Sequence, residues 1–233
     1  MSAIRLADPF FLAHRALRRE VARMAMQTTG NVVDVGCGMA PYRKLFSHAR
    51  YFGIETVRAS RFGSAKTGAD VLYDGKHLPL SNGSVDNVLC NQVLEHVFEP
   101  VEFLCDIHRV LRPGGKLMIT VPFAWDEHEQ PDDYARYSSF GLRYLAAKCG
   151  FEVIDARRTL ADASLFAQLW LAYWFKVTRR NGRSSLPAKL FVAALSIPTN
   201  MLGMALAHLL PPNQDLYLDN AMTLIRLPAE SAQ

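Results

Sequence analysis

Short runs of β-branched and aliphatic residues alternate along this chain with stretches whose apolar positions recur every three or four residues. Val32, Val33 and Val35 suit a short buried strand. Tyr51 to Ile54, Asp70 to Asp74, Val85 to Cys90, Lys116 to Pro122, Phe151 to Ala156 and Ala221 to Leu227 read as further strands. Between them, Phe103, Leu104, Ile107, Val110 and Leu111 mark one face of a helix, opened by Pro100 and stopped by Arg112-Pro113-Gly114-Gly115. Ser138 to Gly150 reads as another, with Ser138 or Ser139 as cap and Gly150 as terminator. Pro41 stands at a position suited to a helix start, and Tyr42 to Ser47 is expected to be helical.

Two segments stand apart from this alternation. Residues 9–27 set Phe10, Phe11, Leu12, Ala16, Leu17, Val21 and Met24 against Arg15, Arg18, Arg19 and Arg23, which predicts an amphipathic helix with a basic face in an N-terminal segment 1–29. The remainder, 30–233, reads as one domain interrupted by an apolar helical insertion at 160–215. The insertion is long for a connection between two strands. It contains an aromatic run from Leu165 to Val177, a basic turn from Lys176 to Arg183, and an apolar run from Leu190 to Leu210. That second run has the length of a membrane span, but Pro198-Thr199-Asn200 and Gly203 interrupt it, so a pair of interfacial helices is the expectation ahead of a true span. A homodimer surface or a lid is the soluble counterpart.

Composition narrows the field. A chain of 233 residues, half of them hydrophobic, can bury a full core, and a formal charge of +4 gives no reason to expect nucleic acid. Cys37, Cys90, Cys105 and Cys149 are widely spaced, so neither a disulfide framework nor a zinc site is expected; the carboxylates clustered at 126–133 invite a hard cation but are mostly adjacent and lack an ordered ligand loop with glycine, so no metal is assigned. Without an opening signal segment the expected setting is cytoplasmic, at the inner face of a membrane if the insertion binds one.

The chemistry begins at Asn31 to Pro41, which reads strand, tight glycine turn, helix start. A pyrophosphate ligand wants Gly-x-Gly-x-x-Gly and no nearby anion; here Pro41 fills the third glycine position and Asp34 precedes Gly36 and Gly38. A carboxylate suits a cationic ligand instead, and S-adenosylmethionine (SAM) carries an ammonium and a sulfonium. A nicotinamide oxidoreductase is correspondingly disfavoured. Glu55 follows at about the twenty-residue spacing at which a carboxylate reaches ribose hydroxyls.

In these residues the sequence resembles the class I SAM-dependent methyltransferases. The stretches Leu94-Glu95-His96-Val97 and Leu111-Arg112-Pro113-Gly114-Gly115-Lys116-Leu117 are similar to signatures of the methyltransferase type 11 group. The resemblance implies an α/β fold: a Rossmann-like seven-stranded class I methyltransferase sheet, here with the insertion between strands 6 and 7. It further implies that Asp74 accepts from the adenine amino group, that the Gly75 N–H meets a ring nitrogen, and that Asn91 lies against the methionine part of SAM. His77 and His96 are read as structural rather than catalytic, and Cys37 as a small turn residue rather than a nucleophile.

Open parallel sheets bind ligands beyond the carboxyl ends of their strands, so the loop after the fifth strand should face the methyl acceptor. It gathers Asp126, Glu127, Glu129, Asp132 and Asp133 around His128. If the acceptor is a hydroxyl it needs a base, and His128 is the candidate, with Asp133 as runner-up and Tyr134, Arg136 and Tyr137 as acceptor-binding residues. The alternative is a solvated acidic loop held by an internal Asp133–Arg136 contact. The block His128 to Ser138 also resembles a type 11 subgroup that accompanies bacterial cell-surface glycan assembly, which implies a sugar or lipid-linked glycan acceptor. A small-molecule acceptor such as a quinone or phenol, and a non-catalytic SAM-fold docking subunit, are the competing expectations.

Overall fold

The computed structural model describes residues 5–57, 67–179 and 182–228; Arg180 and Asn181 of the expected basic turn lie outside them. The strands are β1 (Asn31–Val35), β2 (Arg50–Thr56), β3 (Val71–Tyr73), β4 (Val85–Asn91), β5 (Leu111–Pro122), β6 (Phe151–Arg158) and β7 (Asp219–Arg226). The helices are α1 (Phe11–Ala25), α2 (Pro100–Val110), α3 (Ser139–Lys148), α4 (Ser164–Val177) and α5 (Leu186–Leu209).

The strands form one sheet in the order β3-β2-β1-β4-β5-β7-β6. The pairs β1–β2, β1–β4, β2–β3 and β4–β5 are parallel. Thr159 just beyond β6 bonds Asp219 at the start of β7, while Gly150 just before β6 bonds Leu227 just beyond β7, so those two strands run antiparallel. This is a mixed, Rossmann-like sheet whose order reverses between β1 and β4, the place where such sheets bind ligands.

Side chains two apart point to the same face, which explains why near-continuous apolar strands serve two cores. Val33 and Val35 of β1, Val88 and Cys90 of β4 and Leu117 and Ile119 of β5 pack with Leu104 and Ile107 of α2 and Leu142 of α3. The intervening Val32, Leu89 and Met118 pack with Val21 and Met24 of α1 and with Phe46. The expected helix after the glycine turn is only a single 3-10 turn, Arg43–Phe46, and Pro41 does not open it. Few residues separate that turn from β2, which starts at Arg50, so there is no chain length for a longer helix; α1 supplies apolar cover on that face instead.

The chain gathers into two compact units. One holds the residues from Glu20 to Phe123, from Glu127 to Arg157 and from Asn220 onward, and contains both cores of the sheet. The other holds the described residues up to Arg19 together with Ala124–Asp126 and Arg158–Asp219.

Within this second unit α4 and α5 pack together; a Cβ at Gly203 would lie 2.8 Å from that of Ala167, so the two helices approach closely at that point. Trp174 meets Phe191 edge-on with ring centroids 5.3 Å apart. Helix α5 is continuous through Pro198, contrary to the expected interruption. Proline removes one backbone donor and crowds the preceding turn, and here helix packing and the Asn200 amide, which donates to the carbonyls of Leu6 and Asp8, hold the helix on both sides of it.

Gln168 of α4 is fully buried and uses both ends of its amide: Oε1 accepts from Ala13 N (3.0 Å) and Nε2 donates to Pro9 O (2.9 Å). Leaving buried partners unmatched costs about 1–3 kcal/mol per group. Gln168→Ala is therefore expected to lower stability by a few kcal/mol and to raise amide hydrogen exchange selectively over residues 9–16. Unchanged exchange there would show that the N-terminal segment is held by other means.

Candidate active site

The glycine turn leaves β1 and is clamped to the end of β2. Gly36 N and Cys37 N both donate to Ile54 O (2.9 and 3.2 Å), and Gly38 N donates to Glu55 Oε2 (2.8 Å). Glu55 is buried, and its other oxygen accepts from Thr56 N (2.7 Å). Gly36 and Gly38 have φ of +73° and +51°. A Cβ at Gly36 would lie 2.4 Å from Val93 Cγ2, whereas one at Gly38 would meet nothing within 4 Å. The first glycine is thus required by packing, and the second faces open space. Such a cradle fits the close approach of a cofactor, and Glu55 stands at its rim.

Asp34, next to last in β1, is buried and accepts a hydrogen bond from the Tyr51 hydroxyl. Burial pushes its carboxyl up to about 7, against the pull of that hydrogen bond. Arg43 stacks over the Tyr51 ring (4.6 Å) and donates to Gly68 O (2.9 Å) and Asp70 Oδ2 (2.7 Å), and that same oxygen accepts from Gly53 N (2.7 Å). The supporting roles of Tyr51 and Arg43 are not visible in the motif, because they depend on strand pairing. Cys37 is buried, its thiol pushed up to about 12 by burial and then by the Asp34 charge, as befits a turn residue rather than a nucleophile.

Asp74 is exposed just past β3, its Oδ1 accepting from Lys76 N (2.9 Å), and Gly75 has φ of +83°. Asn91 ends β4 with its Oδ1 accepting from the Thr120 hydroxyl (2.8 Å). Asp34, Gly36, Gly38, Glu55, Asp74, Gly75 and Asn91 therefore all lie at or just beyond the carboxyl ends of β1 to β4.

The loop after β5 is pinned over the turn that follows β4. Tyr134 N donates to Glu95 O (2.8 Å), Tyr137 N to Pro122 O (3.2 Å), and Asn220 Nδ2 to Tyr137 O (2.7 Å). Tyr134 meets Phe98 edge-on and donates from its hydroxyl to Asp132 Oδ1 (2.8 Å), while the Tyr137 ring packs against the sheet core. Asp133 is gripped by Arg136, whose two terminal nitrogens lie 2.6 and 2.7 Å from its two oxygens, and its Oδ2 also accepts from His128 N (2.9 Å). Burial pushes that carboxyl up, but Arg136 and the His128 N–H outweigh it and hold it at about 2. A carboxylate so low is a poor base near neutrality. The expected internal Asp133–Arg136 contact is present, and His128 Nδ1 lies 3.3 Å from Asp133 Oδ2 and 3.5 Å from Arg136 Nη2. Beside it stands His96, ring centroids 4.8 Å apart and edge-on. Glu95, fully buried in the same turn, is a further residue that sequence reasoning passed over in favour of its neighbour; a carboxylate set between Leu94 and Val97 was the available signal.

Comparison with known proteins agrees with this architecture. Residues 33–119, from β1 into β5, match the model of a methyltransferase domain, which supports a class I SAM-dependent methyltransferase of the type 11 group. A malonyl-[acyl-carrier protein] O-methyltransferase of Alcanivorax borkumensis is 27% identical over 181 residues, 70% of this chain and 62% of its own length. An uncharacterised 37.1 kDa protein in transposon TN4556 of Streptomyces fradiae is 47% identical over 107 residues, 41% of this chain and 31% of its own. The chain thus spans less than two thirds of the length of these curated relatives. Among solved structures, phosphoethanolamine N-methyltransferase 2 of Haemonchus contortus in complex with S-adenosyl-L-methionine superposes with a TM-score of 0.56 at 15% identity, covering 90% of this chain and 52% of that one, a likeness of fold.

The two glycines are expected to separate when substituted. Gly38→Ala costs about 1–2 kcal/mol for its left-handed backbone. It should leave a folded protein with much weaker SAM binding by calorimetry, whereas Gly36→Ala should unfold at markedly lower temperature. Full SAM affinity in Gly38→Ala would place the cofactor elsewhere.

Proposed function

We propose that this protein transfers a methyl group from SAM to a hydroxyl of a sugar or lipid-linked glycan intermediate at a membrane surface. The observation that carries the reading is the His128–Asp133–Arg136 constellation, in the loop beyond the carboxyl end of β5. When bound, SAM supplies an electrophilic methyl on a sulfonium. Asp34 and Glu55 with Gly36 and Gly38 form its cradle, and Asp74, the Gly75 N–H and Asn91 hold its adenine and methionine ends. Much of the rate of an in-line displacement comes from positioning, which a loop tied down at Glu95, Pro122 and Asn220 supports. Asp133, itself fixed by Arg136, orients the His128 ring, and His128 makes the acceptor oxygen nucleophilic. Tyr134 and Arg136 are proposed to line the acceptor side, with Tyr137 beneath them. The O-methyltransferase named above favours oxygen as the acceptor atom.

Support for a membrane surface comes from the second unit. Phe166, Trp170 and Tyr173 of α4 and Leu190, Met201 and Leu202 of α5 are exposed, Phe166 to 63%. Solvated apolar surface on that scale is characteristic of interaction sites, and Arg179, over the Phe175 ring at 4.6 Å, supplies a cation near the end of α4. Helix α5 is long and apolar enough to cross a membrane by length and composition, though exposed aromatics with flanking cations fit a helix pair lying in the interface better. The same surface would serve a homodimer or a docking subunit, and a quinone or phenol is the other acceptor class.

Labelled methyl from SAM, incubated with a membrane-containing extract and this protein, is expected to enter the lipid or glycan fraction. His128→Ala should lose about 10²–10⁴-fold in turnover with SAM affinity unchanged. Label confined to small molecules would select the quinone or phenol acceptor, and tight SAM binding without transfer would select the docking subunit. Separately, the protein is expected to sediment with anionic lipid vesicles, and Phe166→Ser with Trp170→Ser to release it. Complete recovery in the supernatant would overturn the membrane assignment.

A further inference from the structure

Glu95 and His96 end the short turn after β4, and His128 comes from the loop after β5. Their ligating atoms lie within 4.8 Å of one another. Glu95 is fully buried and both imidazoles are half-buried. His96 Nδ1 lies 2.7 Å from the Asp132 carbonyl oxygen, so that nitrogen carries a proton and donates it; in the neutral ring the lone pair is then on Nε2. That Nε2 faces Glu95 Oε1 at 3.9 Å and Glu129 Oε2 at 3.8 Å. His128 Nδ1 lies 3.3 Å from Asp133 Oδ2 and 3.5 Å from Arg136 Nη2; with its proton turned toward that carboxylate, the lone pair is likewise on Nε2. Imidazoles that coordinate metals almost always tie the other ring nitrogen to a carbonyl or carboxylate in this way, which fixes the tautomer and the ring orientation.

We propose that Glu95, His96 and His128 bind a divalent transition-metal ion, with Glu129 as a fourth donor. Two imidazoles and carboxylate oxygens suit zinc, cobalt, iron or manganese rather than calcium or magnesium, which prefer all-oxygen sets. Bonds of about 2.0–2.2 Å require ligand atoms about 3–3.5 Å apart, so binding draws these side chains inward by roughly an ångström, within reach of small rotations. The residues come from the turn after β4 and the loop after β5, so one ion ties together two segments at the carboxyl edge of the sheet. Its role rests on the reading that His128 serves to make the acceptor oxygen nucleophilic: His128 would then be a ligand, the ion would polarise the hydroxyl so that its proton passes to solvent, and the oxygen would take the methyl as the sulfonium leaves as a neutral thioether.

The test is titration of the untagged, chelator-treated full chain with cobalt(II), followed by visible ligand-field absorption. Saturable binding of one ion per chain is expected. His96→Ala and His128→Ala should each weaken it by more than about 10–100-fold, and Asp133→Asn by about 10–100-fold through loss of ring orientation. Retained SAM binding by His128→Ala shows that the variant is folded, which Glu95→Gln, at a fully buried position, need not be. Absence of saturable binding, or equal affinity in the parent and both histidine variants, overturns the proposal. Methyl transfer that persists in chelator without cobalt binding overturns it too, and leaves His128 as a metal-free base. Cobalt binding lost in the variants, but without transfer to any acceptor fraction, supports the site and removes the proposed function.

Discussion

The turn from β1 into the Gly36–Gly38 segment is the constraint on which the site depends. Gly36 has no room for a side chain because Val93, beyond the neighbouring strand β4, occupies that space, and its positive φ reverses the chain at once. The turn is then tied to β2 by the Ile54 carbonyl and by the Glu55 carboxylate. A single tight reversal therefore locks three adjacent strands, β4, β1 and β2, to one another at their carboxyl ends. The open space over Gly38 follows from the same geometry.

A comparable division of labour governs the loop beyond β5. Arg136 grips both oxygens of Asp133, and one of those oxygens also faces His128. A carboxylate held low by a guanidinium and a backbone N–H stays fully charged near neutrality. The acidic segment, for which a solvated loop was the alternative expectation, resolves into groups with separate partners. Asp132 offers its carbonyl to His96, Asp133 its carboxylate to His128, and Glu129 stands near the His96 ring.

Much of this was legible in the sequence, for identifiable reasons. The strands announced themselves because apolar runs bounded by glycine and proline have few other uses, and their gathering into one seven-stranded sheet followed from the family resemblance. Gly36, Gly38 and Glu55 were legible because backbone conformation and spacing are local properties. The absent helix after Pro41 was not, because what forbids it is the nearness of β2 rather than any residue within Tyr42 to Ser47. The continuity of α5 was hidden for a similar reason: Pro198 reads as a break, and the packing that overrides it comes from α4, with further hydrogen bonds from the Asn200 amide to the Leu6 and Asp8 carbonyls. Least legible was the meeting of Glu95, His96 and His128, which requires two loops from different strands to converge.

The position of β7 governs how this sheet can be assembled. It is the last of the described strands, yet it lies between β5 and β6, and its Ala221, Met222 and Leu224 fill both cores. While the chain is being synthesised, β5 and β6 must wait with a strand-wide gap between them until the whole α4–α5 hairpin has been made. During that interval two lines of unpaired backbone groups and an exposed aromatic hairpin coexist, the combination most prone to off-pathway association. Closure is a long-range event, so the slow step in forming the sheet should be the arrival of its last strand in its middle.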